Sequence, residues 1–481
     1  MIKTPGKFAL LVMAAVAGGC SMMPHYERPA APVSAAWPDS VPLKAGKAAA
    51  PDEWQKYFPD PRLQALIAAA LENNRDLRIA TARIAEARAQ YGIQRADRLP
   101  SINLTGSRSA GLTPAPVSLT GSTAFSQRYD ADLTLVSYEL DFWGRVSSLT
   151  ASAKASYLST EAAQHAFRLS LISDVANAYL SLLEMNERTQ LAVETVKARA
   201  ETRELISRRR ELGVSGDLDY LQAEGAYQAA LAERANLERQ QAAAENFLNL
   251  LVGRSMSELK DLPAGRSLAD QGITSDTVAG LPAEVLLQRP DVLAAEQRLI
   301  AANANIGAAR AAFFPRISLT GSAGFASNQL SGLFNSDNRA WLFQPAISLP
   351  LFDAGRTSAN VDVAEARKVV AVADYERTIQ QAFREVADLL NARSKLAEQL
   401  VAQQANAEAQ KQRLRLVDAR YKAGIASHLE VLDAQRESFA ADQGETQVRR
   451  TWLSASAQLY KALGVDGDNP PAKAAQESSA K

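Results

Sequence analysis

Leu99-Pro100-Ser101-Ile102-Asn103-Leu104-Thr105-Gly106-Ser107 returns later in the chain as Phe314-Pro315-Arg316-Ile317-Ser318-Leu319-Thr320-Gly321-Ser322, at an offset of 215 residues. Beyond this pair, Gly144-Arg145 matches Gly355-Arg356, Gly213 matches Gly424, and Leu251-Val252-Gly253 matches Ala462-Leu463-Gly464, each at an offset of 211. Correspondences in one order with a spacing that changes once mark an internal duplication, and the four-residue difference falls between Ser107 and Gly144. The chain is two copies of one unit.

Pro100 and Pro315 each divide two periodicities. Before Pro100, Leu63, Leu66, Ile67, Leu71, Leu77, Ile84 and Tyr91 keep helical spacing from about Pro61 to Arg98, and the counterpart runs from about Pro290 to Ala312. After Pro315 the period is two. Ile317, Leu319, Gly321, Ala323 and Phe325 alternate with Arg316, Ser318, Thr320 and Ser322, as in a strand with one apolar and one polar face. Tyr129, Ala131, Leu133 and Leu135 alternate with Asp130, Asp132 and Thr134; the phase slips at Val136, which predicts a bulge. Phe343, Ile347, Leu349 and Leu351 continue the pattern in the second copy.

The strands feed two unusually long segments. Arg145 to Leu212 and Arg356 to Ala423 each run 68 residues without glycine or proline, rich in Ala, Glu, Arg, Gln and Leu. Each predicts one helix of about 100 Å. Between Glu187 and Glu211, 12 of 25 residues are charged, so this part of the helix has little core of its own. Leu191, Ala198, Leu205 and Leu212 recur every seven residues, and their duplicates are Ala402, Ala409, Leu416 and Ala423. Such a stripe predicts a left-handed coiled coil with closely approaching helices.

Composition narrows the function classes. The chain has 481 residues, with 53 Lys+Arg against 53 Asp+Glu, so it carries no net field for nucleic acid. One cysteine and three histidines leave no disulfide framework or Cys/His zinc site. No nucleophile-base arrangement or Gly-rich phosphate loop is visible, and the chain does not read as an enzyme. His165, His25 and His428 have no unifying pattern. No metal and no cofactor are expected.

Lys3 and Lys7 precede the apolar run Phe8 to Val16, followed by Ala17-Gly18-Gly19-Cys20, which reads as a secretory leader. The stretch resembles a bacterial lipobox, with Ala17 where Leu is preferred, and this implies a covalent lipid on Cys20. Ser21 after the cysteine implies the outer membrane. No run of 18 or more apolar residues follows, so a membrane contact beyond the lipid would be made by strands. Four strands per chain cannot close a barrel, and open edges in lipid cost several kcal/mol per group. Several copies must share one barrel, eight strands in a dimer or twelve in a trimer.

Tyr26-Glu27-Arg28-Pro29, Trp37-Pro38, Trp54 with Phe58 through Leu63, Asp141-Phe142-Trp143-Gly144-Arg145, Leu287-Gln288-Arg289-Pro290-Asp291-Val292, and Asn305-Ile306-Gly307-Ala308-Ala309-Arg310 leading to Phe314-Pro315 carry a further resemblance. The sequence is similar to the outer membrane factors of tripartite efflux systems, in the OprM-like and NodT-like lipoprotein branch with a TolC-like fold. The resemblance implies a mainly α fold with a β-barrel: a homotrimer with a twelve-strand barrel in outer-membrane lipid and a twelve-helix periplasmic tube. It also implies docking to a periplasmic membrane-fusion adaptor and an inner-membrane pump of the resistance-nodulation-division type.

The expected organisation is a leader, 1–19; a lipidated amino-terminal segment, 20–60; repeat 1, 61–260; a linker in the equatorial region, 261–282; repeat 2, 283–464; and a flexible tail, 465–481. Repeat 1 comprises strands over about 100–143, a long helix 145–212, a tip 213–217 and a return helix to 252. Repeat 2 comprises strands over about 315–352, a long helix 356–423, a tip 424–428 and a return helix to 463.

The turns Leu212-Gly213-Val214-Ser215 and Gly424-Ile425-Ala426-Ser427 end the long helices. Glycine permits positive φ there, and Ser215, Asp217 or Ser427 can cap the next helix. An exposed Val214 or Ile425 suits a knob for another coiled coil, and the resemblance implies adaptor contact at these turns. Leu414, Asp418 and Tyr421 share a helix face at spacings of four and three, with Arg420 beside them. By resemblance they form the gate, an acidic constriction held by Arg420 or by basic residues of neighbouring helices. The first-copy counterparts are Arg203, Ser207, Arg209 and Arg210. The reading is a passive exit duct for a multidrug efflux system. A type I secretion duct and a non-porous envelope scaffold are the alternatives, and exported substrates are not legible.

Overall fold

The computed structural model describes residues 21–34, 37, 54–119, 121–259, 262–273 and 283–464. Cys20 and its expected lipid, the leader and the tail from 465 lie outside the described residues, as do 35–36, 38–53 and the linker positions 261 and 274–282. After one helical turn at Trp54–Tyr57 come helices α1 (Pro61–Asn73) and α2 (Arg75–Ala96), then strands β1 (Ile102–Thr113) and β2 (Ala124–Leu140). The long helix α3 (Arg145–Glu211) and return helix α4 (Asp217–Val252) complete the first copy. The second copy repeats the order: α5 (Pro290–Ala311), β3 (Arg316–Ser327), β4 (Arg339–Ser348), α6 (Arg356–Lys422) and α7 (His428–Leu463). Among the described residues no helix is long and apolar enough to cross a membrane.

Compactness cuts the chain differently from duplication. One unit gathers residues up to 30, 83–161 and 294–376; the other gathers 31–82, 162–293 and 377–481, so both copies contribute to each.

The first unit holds a single antiparallel sheet in the order β1-β2-β3-β4. Its register aligns Leu104 with Leu133, Leu133 with Ala323, and Ala323 with Trp341. Because side chains alternate, this places apolar groups of all four strands on one face, with Thr105, Asp132, Gly324 and Ala340 in the adjacent row. The phase slip read at Val136 is a bulge in the ladder between Leu135 and Tyr138, with Ser137 at φ 50°. It returns Tyr138 and Leu140 to the apolar face, opposite Leu319 and Ile317. That face is bare in the chain. Leu104 and Trp341 are each 80% exposed, and Ile102, Leu133, Phe343 and Ile347 are exposed as well.

At the foot of the sheet, Asp141 Oδ1 and Oδ2 accept the Val146 and Ser147 amides at 3.0 and 2.7 Å, opening α3. Asp353 does the same for α6, accepting from the Gly355 and Thr357 amides at 3.0 and 2.8 Å. Trp143 donates to the Pro315 carbonyl at 2.9 Å and stacks on Phe314, so two stretches of the resemblance meet here. Glu139 binds Arg145 and Arg316, each at 2.7 Å, one arginine from each copy. The amino-terminal strand of chain is strapped to α5: Glu296 accepts from Tyr26 and Arg28, and Asn303 donates to the Pro24 carbonyl.

In the second unit the core is built from helical stripes. Leu63, Leu66, Ile67 and Ala70 of α1 and Ile172, Val175, Ala176 and Tyr179 of α3 repeat at i, i+3, i+4 and i+7 and are buried with Leu248, Val252, Leu453 and Tyr460. Each large aliphatic side chain buried this way contributes about 1.5–3 kcal/mol. Asp60, fully buried, ties the cluster together. It caps α1 through the Arg62 amide and accepts from Tyr179 Oη, the Arg266 amide and Gln271 Nε2 at 3.1, 3.0 and 2.8 Å. Arg289, also buried, donates to the Ala462 carbonyl in the last turn of α7 and pairs with Asp291 and Glu385.

The single helix expected from Pro61 to Arg98 is broken at Asn74. Its ψ of 130° leaves the helical region, its Oδ1 accepts the Leu77 amide at 2.9 Å, and its Nδ2 donates to the Leu251 carbonyl at 2.8 Å. One asparagine ends α1, caps α2 and bonds α4, which outweighs the helical pattern running through it.

Candidate functional site

The two long helices end in the same backbone device. In the first turn Val214 N donates to the Arg209 carbonyl at 2.8 Å and Gly213 N to the Arg210 carbonyl at 3.0 Å. In the second, Ile425 N donates to the Arg420 carbonyl and Gly424 N to the Tyr421 carbonyl, both at 2.9 Å. Both glycines have φ 74°. This pair of bonds satisfies the last carbonyls of a helix and requires a left-handed residue, which glycine adopts without a Cβ penalty. The turn then carries Val214 and Ile425 outward, 74% and 69% exposed, beside exposed Leu212 and Ser427 and half-buried Ser215 and Ala426.

The side chains of the turns differ. Ser427 Oγ accepts the Glu430 amide at 3.3 Å and the Ser427 amide donates to Glu430 Oε1 at 2.9 Å, a reciprocal cap at the start of α7. The Ser427 amide and its hydroxyl, which donates to Glu430 Oε1 at 3.1 Å, with Arg420 farther off, hold the Glu430 carboxyl below its ordinary range. In the first turn neither Ser215 nor Asp217 caps α4. Gly216 is the N-cap without a side-chain bond, and the Ser215 hydroxyl donates to Asp219 Oδ2 at 2.7 Å instead.

Leu414, Asp418 and Tyr421 lie along one face of α6, all half-buried, while Arg420 is exposed. Within the chain Asp418 pairs with Lys422, one turn along α6, at 2.7 Å. Tyr421 is the residue that reaches the other copy. Its hydroxyl accepts from Arg209 Nη1 of α3 at 3.0 Å, and the guanidinium carbon stands 5.5 Å from the ring centroid. On its other side lies His428, ring centroids 5.9 Å apart. The remaining arginines of the first turn are engaged locally: Arg208 with Glu204 at 3.0 Å, Arg210 with Asp217 at 3.5 Å and over the Tyr220 ring, Arg203 over the Tyr227 ring.

Beyond Glu187 the buried positions of α3 are Ala192, Val196 and Ile206, and in the first part of α4 Ala223, Ala230 and Leu237 are buried, seven apart. Arg199 Nη1 joins the helices through the Ala226 carbonyl at 2.7 Å. Ala192 and Ile206 stand one residue beyond Leu191 and Leu205. Leu205, Leu212 and Leu416 are exposed, as are Ala198, Ala402, Ala409 and Ala423, so the stripe read from sequence is a second, uncovered one. Among the described residues no group of three or more metal-ligating side chains occurs.

A four-stranded sheet with a bare apolar face, together with helices of 67 residues that reverse in glycine turns, defines an outer-membrane channel chain. The sequence pattern of the family described as outer membrane efflux protein matches residues 66–254 and 281–465, one stretch in each copy. The chain is 43% identical to the probable efflux pump outer membrane protein TtgC of Pseudomonas putida, over 99% of both chains. Among solved structures, a membrane protein from Pseudomonas aeruginosa is 42% identical with a TM-score of 0.86, covering 94% of this chain and 99% of that one. The open state of the Neisseria gonorrhoeae MtrE outer membrane channel is 39% identical with a TM-score of 0.83, covering 93% and 99%. The chain belongs to the outer membrane efflux protein family, and it is an outer-membrane channel component of an efflux system.

Proposed function

We propose that three copies assemble into a passive, gated exit duct, anchored by a lipid on Cys20, that receives cargo from an inner-membrane pump of the resistance-nodulation-division type through a periplasmic adaptor. The sheet carries this reading. Its apolar face is uncovered, and among the described residues β1 and β4 pair along one side only. Three sheets of four strands close a twelve-strand barrel and remove the free edges, each unpaired group of which costs several kcal/mol in lipid. The uncovered stripe of Leu205, Leu212, Leu416 and their neighbours suits helix packing between copies in a twelve-helix tube. The name of the relative TtgC, an efflux pump outer membrane protein, supports the pump partner.

At the turns, Val214 and Ile425, with Leu212, Gly213, Ser215, Gly424, Ala426 and Ser427 around them, offer paired apolar knobs to the adaptor. Leu414, Asp418 and Tyr421 gate the duct, with Arg420 at its margin; Asp418 supplies the acidic ring and the Arg209 bond to Tyr421 ties α6 to α3. A hydrogen bond from a charged donor contributes about 1.5–3 kcal/mol, so losing it raises the open population by about tenfold or more. The test is single-channel recording of the purified protein in planar bilayers. Wild type should migrate as a heat-modifiable trimer with low conductance, while Asp418→Ala and Arg209→Ala conduct more and close less often. A monomer after mild extraction would overturn the duct, and wild-type conductance with normal closure in both variants would overturn the gate.

A further inference from the structure

His428 opens α7 directly after the Ser427 cap and is only 6% exposed, yet neither ring nitrogen has a hydrogen-bond partner. A buried polar ring left unsatisfied is costly, so its place needs a reason beyond packing. Its flank is the Tyr421 ring, tilted by 50°, whose hydroxyl is the acceptor of the Arg209 bond. The titratable and charged groups facing it are Arg209 from α3, Asp219 from α4 and Tyr421 from α6; on its own helix Glu430 is committed to the Ser427 cap. Asp219 in turn accepts from the Ser215 hydroxyl. This makes His428 the one imidazole set among side chains from both turns.

We infer that neutral His428 positions Tyr421 to accept from Arg209, and that its protonation loosens this tie, so that acid on the turn side opens the duct. The inference rests on the reading of Tyr421 as part of the gate. A second cation beside the Arg209 guanidinium, in a site with little water, repels it and draws Asp219 away from Ser215. Burial pushes the imidazole down from its ordinary 6.5, Asp219 pulls it up and Arg209 pushes it further down, with a net fall. The closed turn therefore holds fewer protons than an opened one in which the ring meets water. Protons favour the opened form: the tie is intact above 6.5 and is lost as pH falls through the depressed value.

The experiment records trimers in planar bilayers at pH 7.5 and 4.5 on the turn side, for wild type, His428→Phe, His428→Gln and Tyr421→Phe. Wild type should show a several-fold, reversible rise in open probability on acidification. His428→Phe and His428→Gln should lose that rise, and Tyr421→Phe should be raised at both pH values. A wild type indifferent to pH, or His428 variants that respond as wild type does, would overturn the inference. Failure of the gate reading is separate, because Tyr421→Phe would then match wild type at both pH values. Should one His428 variant fail to form heat-modifiable trimers, the other variant and the wild-type titration still decide.

Discussion

The strand junctions and the helical turns show two fates for a duplicated unit. At the junctions both copies solve the same problem with the same residue type: Asp141 and Asp353 each accept two backbone amides at the start of a long helix. At the turns only the backbone repeats. Gly213 and Gly424 share their φ and their pair of closing bonds, but around them one copy has Arg209 and Gly216, and the other has Tyr421, Ser427 and His428. Where geometry leaves no choice the copies agree, and where it leaves a choice they have become complementary. Arg209 and Tyr421 are one bond made from two copies.

The largest effect is expected on the sheet, where the two copies are joined. A Cβ on Gly324 would stand 2.1 Å from the Ala131 carbonyl oxygen and 2.6 Å from the Asp132 Cα, both backbone atoms of β2 that cannot swing aside. Gly324→Val should therefore abolish heat-modifiable trimers in outer-membrane fractions, whereas Val214→Ala at the turn should leave them intact. Normal trimers from Gly324→Val would show that β2 and β3 do not pair in this register.

Next come the junction caps. Asp141→Ala removes two charge-assisted acceptor bonds at the entrance to α3 and should cost about 1–2 kcal/mol, read as a fall in the melting temperature of the purified protein. Asp353→Ala removes two such bonds at the entrance to α6 and should lower it comparably. If only one of the two substitutions mattered, the junctions would not be equivalent after all.

Much of this was legible in the sequence because periodicity reports local geometry. The phase slip at Val136 marks the bulge, and the 68-residue stretches free of glycine and proline match helices of 67 residues. The misses have a common cause. Asn74 breaks a helix through a bond to Leu251, a residue far along the chain that no local pattern contains. Beyond Glu187 the buried seam of α3 lies at Ala192, Val196 and Ile206, while Leu205 is exposed within the chain, so the seven-residue stripe marks a face that α4 does not cover. Asp60 stands in the sequence only as part of the stretch Phe58 through Leu63, and its bonds to Tyr179, Arg266 and Gln271 require the folded chain. His428 reads as a residue near a turn. Only its burial, with both nitrogens unpartnered, sets it apart.

The smallest effect sharpens the comparison most, because it sets one serine of each turn against the other. Ser427 Oγ accepts the Glu430 amide and Glu430 accepts the Ser427 amide, so Ser427→Ala leaves the Glu430 amide without its partner and should cost about 0.5–1 kcal/mol. Ser215 serves no such purpose: its hydroxyl binds only the Asp219 carboxylate, and Gly216 holds the cap position without a side chain. Ser215→Ala should thus change stability by no more than about 0.5 kcal/mol, the range of an ordinary surface substitution. Paired denaturation curves would resolve the difference. Equal losses would mean that the turns are capped alike despite their different residues, and that their divergence lies in Arg209, Tyr421 and His428 alone; a loss confined to Ser427→Ala would place the stronger hold on the turn that carries Tyr421 and His428.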